Sequence, residues 1–246
     1  MPKVHFAPLS SIAAGLLGLF AVDRVSPLSA AGWTAGLLYL VVSNALLARG
    51  LHHGGITAFG WANGVTAARS TLVGLVSAIV TTSLVSDVSV PLLIVLASSA
   101  LILDAVDGWV ARRTRTESQL GARFDMEVDA FLLLVLSVYV APSLGWWVLA
   151  IGLLRYAFVV AGWLAPWMRA TLPPRYWRKV VTAVAGVALI IAASGVPPGW
   201  VGVVVTLIAL ALLVESFGRD VLWLAARRPA AARVVAGHEQ TNGEVR

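Results

Sequence analysis

Long apolar runs separated by short polar connections follow one another from the start of the chain to about residue 218. They fall near residues 7–22, 31–49, 64–82, 89–111, 121–141, 145–166, 178–195 and 198–218, and the first is the shortest. Most reach the roughly 17–25 residues that carry a helix across ~30 Å of hydrocarbon. Lipid offers no hydrogen bonds to the backbone, so the pattern predicts eight membrane-spanning α-helices. The first run, within MPKVHFAPLSSIAAGLLGLFAV, leads almost directly into a second span. No small-x-small cleavage site and polar mature segment follow it, so it is predicted to be a retained helix. From about Ala225 the chain becomes Ala/Arg-rich and polar, and disorder is expected there.

Composition agrees with a lipid environment. Hydrophobic residues make up 59% of the 246 positions and charged residues 12%, about half the charged share of a soluble domain. The absence of cysteine rules out disulfides and thiolate metal sites. A net charge of +6 would point to nucleic acid in a soluble protein. Here it follows the membrane, because Arg49, Arg69, Arg112, Arg113, Arg115, Arg123, Arg169, Arg175, Arg178, Lys179, Arg219 and the tail arginines all lie in alternate connections or the tail. The connections near 83–88, 141–145 and 195–199 carry no Lys or Arg. The positive-inside rule then puts both termini in the cytoplasm, which requires an even number of spans. The ten tryptophans lie near predicted span ends, where indoles sit at headgroup level.

One stretch, LDAVDGWVARRTRTESQLGARFDMEVDA from Leu103 to Ala130, concentrates acidic groups where spans should have none. Asp104 and Asp107 lie three apart near the end of one span, and Asp125 and Asp129 lie four apart at the start of the next. Each spacing puts its pair on one helix face. With a short connection the two helices should be antiparallel neighbours, so the four carboxylates can converge at the membrane boundary. Like charges and desolvation oppose that gathering. One or two hard divalent cations, Mg²⁺ or Mn²⁺, would relieve both and complete their shells with substrate phosphates. Gly108 allows close approach to the backbone, and Arg112 offers a forked donor to phosphate. Glu127 is out of phase with the aspartate pair and reads as structural.

The segment resembles the signature of the CDP-alcohol phosphotransferase family, D-x2-D-G-x2-A-R-x8-G-x3-D-x3-D. Every fixed position is present, as Asp104, Asp107, Gly108, Ala111, Arg112, Gly121, Asp125 and Asp129. The resemblance implies a six-helix catalytic core over residues 63–218, an N-terminal extension of about two extra transmembrane helices over 1–62, and a cytoplasmic tail over 219–246. It further implies transfer of a substituted phosphate from a CDP-linked donor, often CDP-diacylglycerol, to an alcohol with release of CMP. Asp104, Asp107, Asp125 and Asp129 would ligate metal, and Asp129 would also be the base. Gly108, Arg112 and Ser118 would hold the cytidine diphosphate. Relatives are commonly homodimers in the cell membrane with a cytoplasm-facing site.

Other segments fit that picture. ANGVTAARS, with Asn63 as a helix N-cap and Thr66 three residues on, resembles the family's Asn-x-x-Thr-x-x-Arg stretch and implies nucleotide contact by both. An ordinary cap is the competing reading. Arg155 lies mid-span and should meet a carboxylate or an anionic substrate. Arg175, Arg178 and Lys179 suit either anionic lipid headgroups or an acceptor phosphate, and Arg219 with Asp220 should end the last span. Serine, glycerol phosphate, inositol phosphate and other polyols all remain open as acceptors. A polytopic cation transporter is the rival class. It would place its carboxylates near the midplane, with broken helices or repeats. An intramembrane aspartyl protease would need two aspartates rather than four.

Overall fold

A computed structural model describes the backbone of residues 6–53, 61–114, 119–170, 172–173 and 175–243. The described residues form eight α-helices and no strand: α1 (Phe6–Val25), α2 (Ala30–His53), α3 (Trp61–Ser83), α4 (Val90–Thr114), α5 (Gln119–Leu144), α6 (Leu149–Leu164), α7 (Tyr176–Ser194) and α8 (Gly199–Gly243). Short 3₁₀ turns at Trp146–Val148 and Pro166–Arg169 flank α6. The all-α polytopic membrane architecture expected from the apolar runs is therefore present. Among the described residues, 65–83, 125–144, 146–164, 176–194 and 199–227 are long and apolar enough to cross a bilayer, while the apolar parts of α2 and α4, Ala30–Leu46 and Val90–Val106, are shorter.

α3 is the central element. Its residues from Val73 to Val80 are almost wholly buried, and it packs against α1, α2, α4 and α5. Several buried hydroxyls are satisfied within their own helices. Ser77 Oγ donates to the Val73 carbonyl at 2.8 Å, Thr82 Oγ1 to Ala78 at 2.9 Å, Ser137 Oγ to Leu133 at 2.7 Å and Thr206 Oγ1 to Gly202 at 2.6 Å. These bonds to the preceding turn let hydroxyls enter an apolar interior without an orphaned donor.

Four expectations need correction. First, α4 and α5 are not close neighbours over their described residues. Each packs instead against α3 and against α7. Two helices bearing carboxylates repel, and the gap between them is filled by a cation, as described below. Second, α3 starts at Trp61, so Asn63 lies in its first turn rather than at its cap. Third, Arg219 and Asp220 do not end α8. Asp220 is buried in mid-helix, facing Arg178 Nε at 3.5 Å and Arg175 Nη1 at 4.0 Å, and two cations make that burial tolerable. Fourth, the tail expected to be disordered is helical as far as Gly243, in keeping with the high helix propensity of alanine.

Candidate active site

The site is organised around Arg69, in the third turn of α3. Its side chain is only 1% exposed, an unfavourable place for a cation unless anions surround it. They do. Nη1 donates to Asp104 Oδ1 of α4 at 2.5 Å, and Nη2 donates to the Asp125 main-chain carbonyl of α5 at 3.1 Å. Nη2 also pairs with the Asp125 carboxylate and lies 3.4 Å from Asp129 Oδ1. One guanidinium thus joins α3, α4 and α5.

Asp104, Asp125 and Asp129 each offer a carboxylate oxygen, and these oxygens all lie within 4.8 Å of one another. Two oxygens on opposite sides of a bound Mg²⁺ stand about 4.2 Å apart, twice the usual bond length. The triad is close to that spacing. Its all-oxygen donor set suits a hard divalent ion rather than a soft one. Among the described residues, Arg69 is shared by all three carboxylates and Lys179 acts on Asp129 from further off. By donor chemistry and spacing, the residues present fit a divalent metal.

The other expected site residues divide into several groups. Asp107, Gly108 and Arg112 belong to α4, and Asn63 to the first turn of α3, but their side-chain positions lie outside the described residues, as does Ser118 altogether. Thr66 is partly buried, one turn before Arg69 on the same helix. Lys179, in the first turn of α7, is exposed and close enough to act electrostatically on Asp129.

Three arginines or lysines weighed as acceptor contacts are otherwise engaged. Arg155 Nη2 pairs with Glu127 Oε1 at 2.5 Å, so the carboxylate that read as structural is the partner a mid-span cation requires. Arg175 and Arg178 face Asp220, and Arg178 also donates to the Pro173 carbonyl. Arg69 closes the Asn-x-x-Thr-x-x-Arg stretch, but in the sequence it has no role beyond an inside charge. The signal that could have singled it out is its position one helical turn beyond Thr66, inside an otherwise apolar run.

Fold and site together define a multi-pass helical membrane protein with an acidic, metal-competent centre held between α3, α4 and α5. A family model described as CDP-alcohol phosphatidyltransferase matches residues 59–215. The chain belongs to that family, and so is a transferase acting on CDP-alcohols in phospholipid biosynthesis. The matched stretch begins just before α3 and ends within α8, leaving α1 and α2 outside it. No curated protein and no solved structure matches the chain.

Proposed function

We propose that this transferase moves a phosphatidyl group from CDP-diacylglycerol, or a closely related CDP-alcohol, to a small alcohol or polyol phosphate and releases CMP. The observation that carries the reading is the convergence of Asp104, Asp125 and Asp129 around Arg69, with their oxygens within 4.8 Å of one another. Asp107 completes the ligand set. Mg²⁺ or Mn²⁺ held by these four would stabilise charge on the donor diphosphate and on the departing CMP.

The chain's own groups account for the rest. Asp129 is one turn beyond Asp125 on α5 and takes the proton of the acceptor hydroxyl as its oxygen attacks the donor phosphorus. The new P–O bond forms as the bond to CMP breaks, and the proton leaves on the carboxylate, so no covalent enzyme intermediate is required. Asn63 and Thr66 on α3, with Gly108, Arg112 and Ser118 after Asp104, hold the cytidine and diphosphate. Thr66 lies one turn before Arg69 and Gly108 one turn after Asp104, so both flank the acidic centre along their helices. Lys179 is the cation best placed for an acceptor phosphate, given its reach to Asp129. Arg155, Arg175 and Arg178 steady the surrounding helices through Glu127 and Asp220. The basic residues at this end of the bundle favour a cytoplasmic site and termini in the cell membrane, and a homodimer is the expected assembly.

The test uses full-length protein in lipid nanodiscs with CDP-diacylglycerol, Mg²⁺ or Mn²⁺ and a panel of alcohols, reading CMP release and identifying the lipid product by mass spectrometry. Asp129→Asn should lower turnover by about 10²–10⁴-fold, the usual worth of a general base. No CMP with any donor and acceptor, together with metal-dependent cation flux in proteoliposomes, would establish the transporter reading instead.

A further inference from the structure

The two N-terminal helices lie outside the segment that matches the family, yet α2 lies along α3, the helix that carries Arg69. At the end of the bundle far from the acidic centre the two are locked closely. A Cβ on Gly32 would stand 2.1 Å from Thr82 Oγ1 and 2.7 Å from the Ala78 carbonyl oxygen, so only glycine permits this crossing. Ser29 N–H donates to Thr82 Oγ1 at 3.2 Å, and Ser89 N–H, just before α4, donates to Ser26 Oγ at 3.1 Å. The extension is thereby fixed in register against the core.

Two turns further along α2 comes Tyr39. Its ring edge lies over Gly74 of α3, where an added Cβ would meet Tyr39 Cδ1 at 3.1 Å. The face of the same ring stacks on Phe131 of α5, with centroids 4.8 Å apart and planes 20° from parallel. Phe131 follows Asp129 by two residues, and Gly74 follows Arg69 by five. Tyr39 is also near enough to Arg69 and Asp129 for electrostatic interaction. A rigid, flat ring from the extension therefore stands between the helix that supplies the cation and the helix that supplies two carboxylates.

We propose that Tyr39 is a positioning residue of the transferase: wedged between Gly74 of α3 and Phe131 of α5, it sets the separation of Arg69 from Asp125 and Asp129 and so the geometry of the metal-binding carboxylates. This rests on the metal-dependent reading of that centre. Closely packed interiors respond to a lost ring by moving helices, and the site needs its groups held within about half an ångström. Supporting residues of metal ligands typically change metal affinity or activity by about 10–100-fold when lost.

The experiment compares Tyr39→Leu, Tyr39→Phe, Phe131→Leu and the Tyr39→Leu/Phe131→Leu double variant in the full chain. Trp33→Leu is the control, because Trp33 stacks edge-on against Phe20 (centroids 5.0 Å apart) within the extension but toward its other end. Mn²⁺ affinity is read by electron paramagnetic resonance without substrate, and kcat and KM by CMP release. Tyr39→Leu and Phe131→Leu should each weaken Mn²⁺ binding and lower kcat by about tenfold, while Tyr39→Phe, which keeps the stack, should restore both. The double variant should be no worse than either single one, since both remove one contact, and Trp33→Leu should match wild type. The proposal is overturned if Tyr39→Leu binds Mn²⁺ as wild type does, if Trp33→Leu loses as much, or if the two losses add. Should Tyr39→Leu fail to fold, a wild-type Mn²⁺ affinity in Phe131→Leu overturns it equally. If wild type itself neither binds Mn²⁺ nor releases CMP, the fault lies with the functional reading and not with the wedge.

Discussion

Replacing Arg69 by methionine keeps the length of an unbranched chain and removes the buried cation that Asp104, Asp125 and Asp129 share. Breaking a buried ion network by deleting one partner costs about 3–5 kcal/mol, because the abandoned charges stay desolvated. Here the three carboxylates are 21–32% exposed, so water screens part of the loss and the lower end, about 3 kcal/mol, applies. At about 2–4 °C per kcal/mol for a chain of this size, the metal-free variant should unfold roughly 6–12 °C below wild type. A divalent ion can take over the lost compensation, and at a hundred times its dissociation constant it would return about 2.7 kcal/mol. Mn²⁺ should therefore stabilise Arg69→Met more than wild type, since the competing guanidinium is gone. Turnover should still fall, because the three helices lose their common tie. Tryptophan-fluorescence melting in nanodiscs, with EDTA or with Mn²⁺, measures both effects. Equal melting in EDTA, or an Mn²⁺ gain no larger than that of wild type, would refute the idea that Arg69 is the resident counter-ion.

Three further outcomes are expected. Arg155→Met and Glu127→Gln should each lower the melting temperature, while the double replacement should cost less than either alone, because it leaves no unpaired charge in the span; a selective rise in acceptor KM for Arg155→Met would return Arg155 to substrate binding. Asp220→Asn should leave Arg175 and Arg178 without their shared carboxylate, destabilising the protein by about 1–3 kcal/mol and speeding limited tryptic cleavage at the start of α7. Lys179→Met should raise KM about tenfold for a phosphorylated acceptor, the worth of one charge-assisted contact of ~1.4 kcal/mol, and should leave KM for a neutral alcohol unchanged.

The helices were legible in the sequence because lipid imposes one rule on every span. A run such as Leu132–Val140 can only be a helix when no water is available to its backbone. The aspartates were legible for the complementary reason: Asp104, Asp125 and Asp129 are costly at a membrane edge and stand at helical spacing. Neighbour relations were not. A short connection between α4 and α5 suggested adjacency, but over the described residues each packs against α3 and α7, and nothing local to Asp104 or Asp125 encodes that. Arg69 was hidden by the same limit. One arginine near a span end satisfies the orientation rule whether it faces water or three carboxylates, and only tertiary contacts separate the cases. Glu127 and Asp220 show this from the other side, since each is explained by a cation 28 or more residues away in sequence. The Ala/Arg-rich stretch beyond Ala225 misled differently. Its composition lacks a core-forming face, yet its alanines favour helix and α8 continues past Pro229.

Charge pairing at the basic end of the bundle singles out where chemistry can occur. Among the described residues there, Glu127 has Arg155, Glu215 has Arg219, and Asp220 has both Arg175 and Arg178. Each of those carboxylates is matched or overmatched by arginine, and each pair is spent on holding one helix to another or on bracing a helix along its own length. At Asp104, Asp125 and Asp129, by contrast, carboxylates from two helices converge on one shared arginine. The peripheral acids thus hold helices together through arginines of their own, whereas the central three gather their oxygens within 4.8 Å of one another. On the proposed function, a divalent cation carrying a diphosphate would be drawn to that gathering of hard oxygen donors. That convergence explains why Arg69 is an arginine held by three anions rather than an apolar residue. With no ion bound, a centre of bare carboxylates would drive α4 and α5 apart, and the guanidinium keeps them within reach of the next ion.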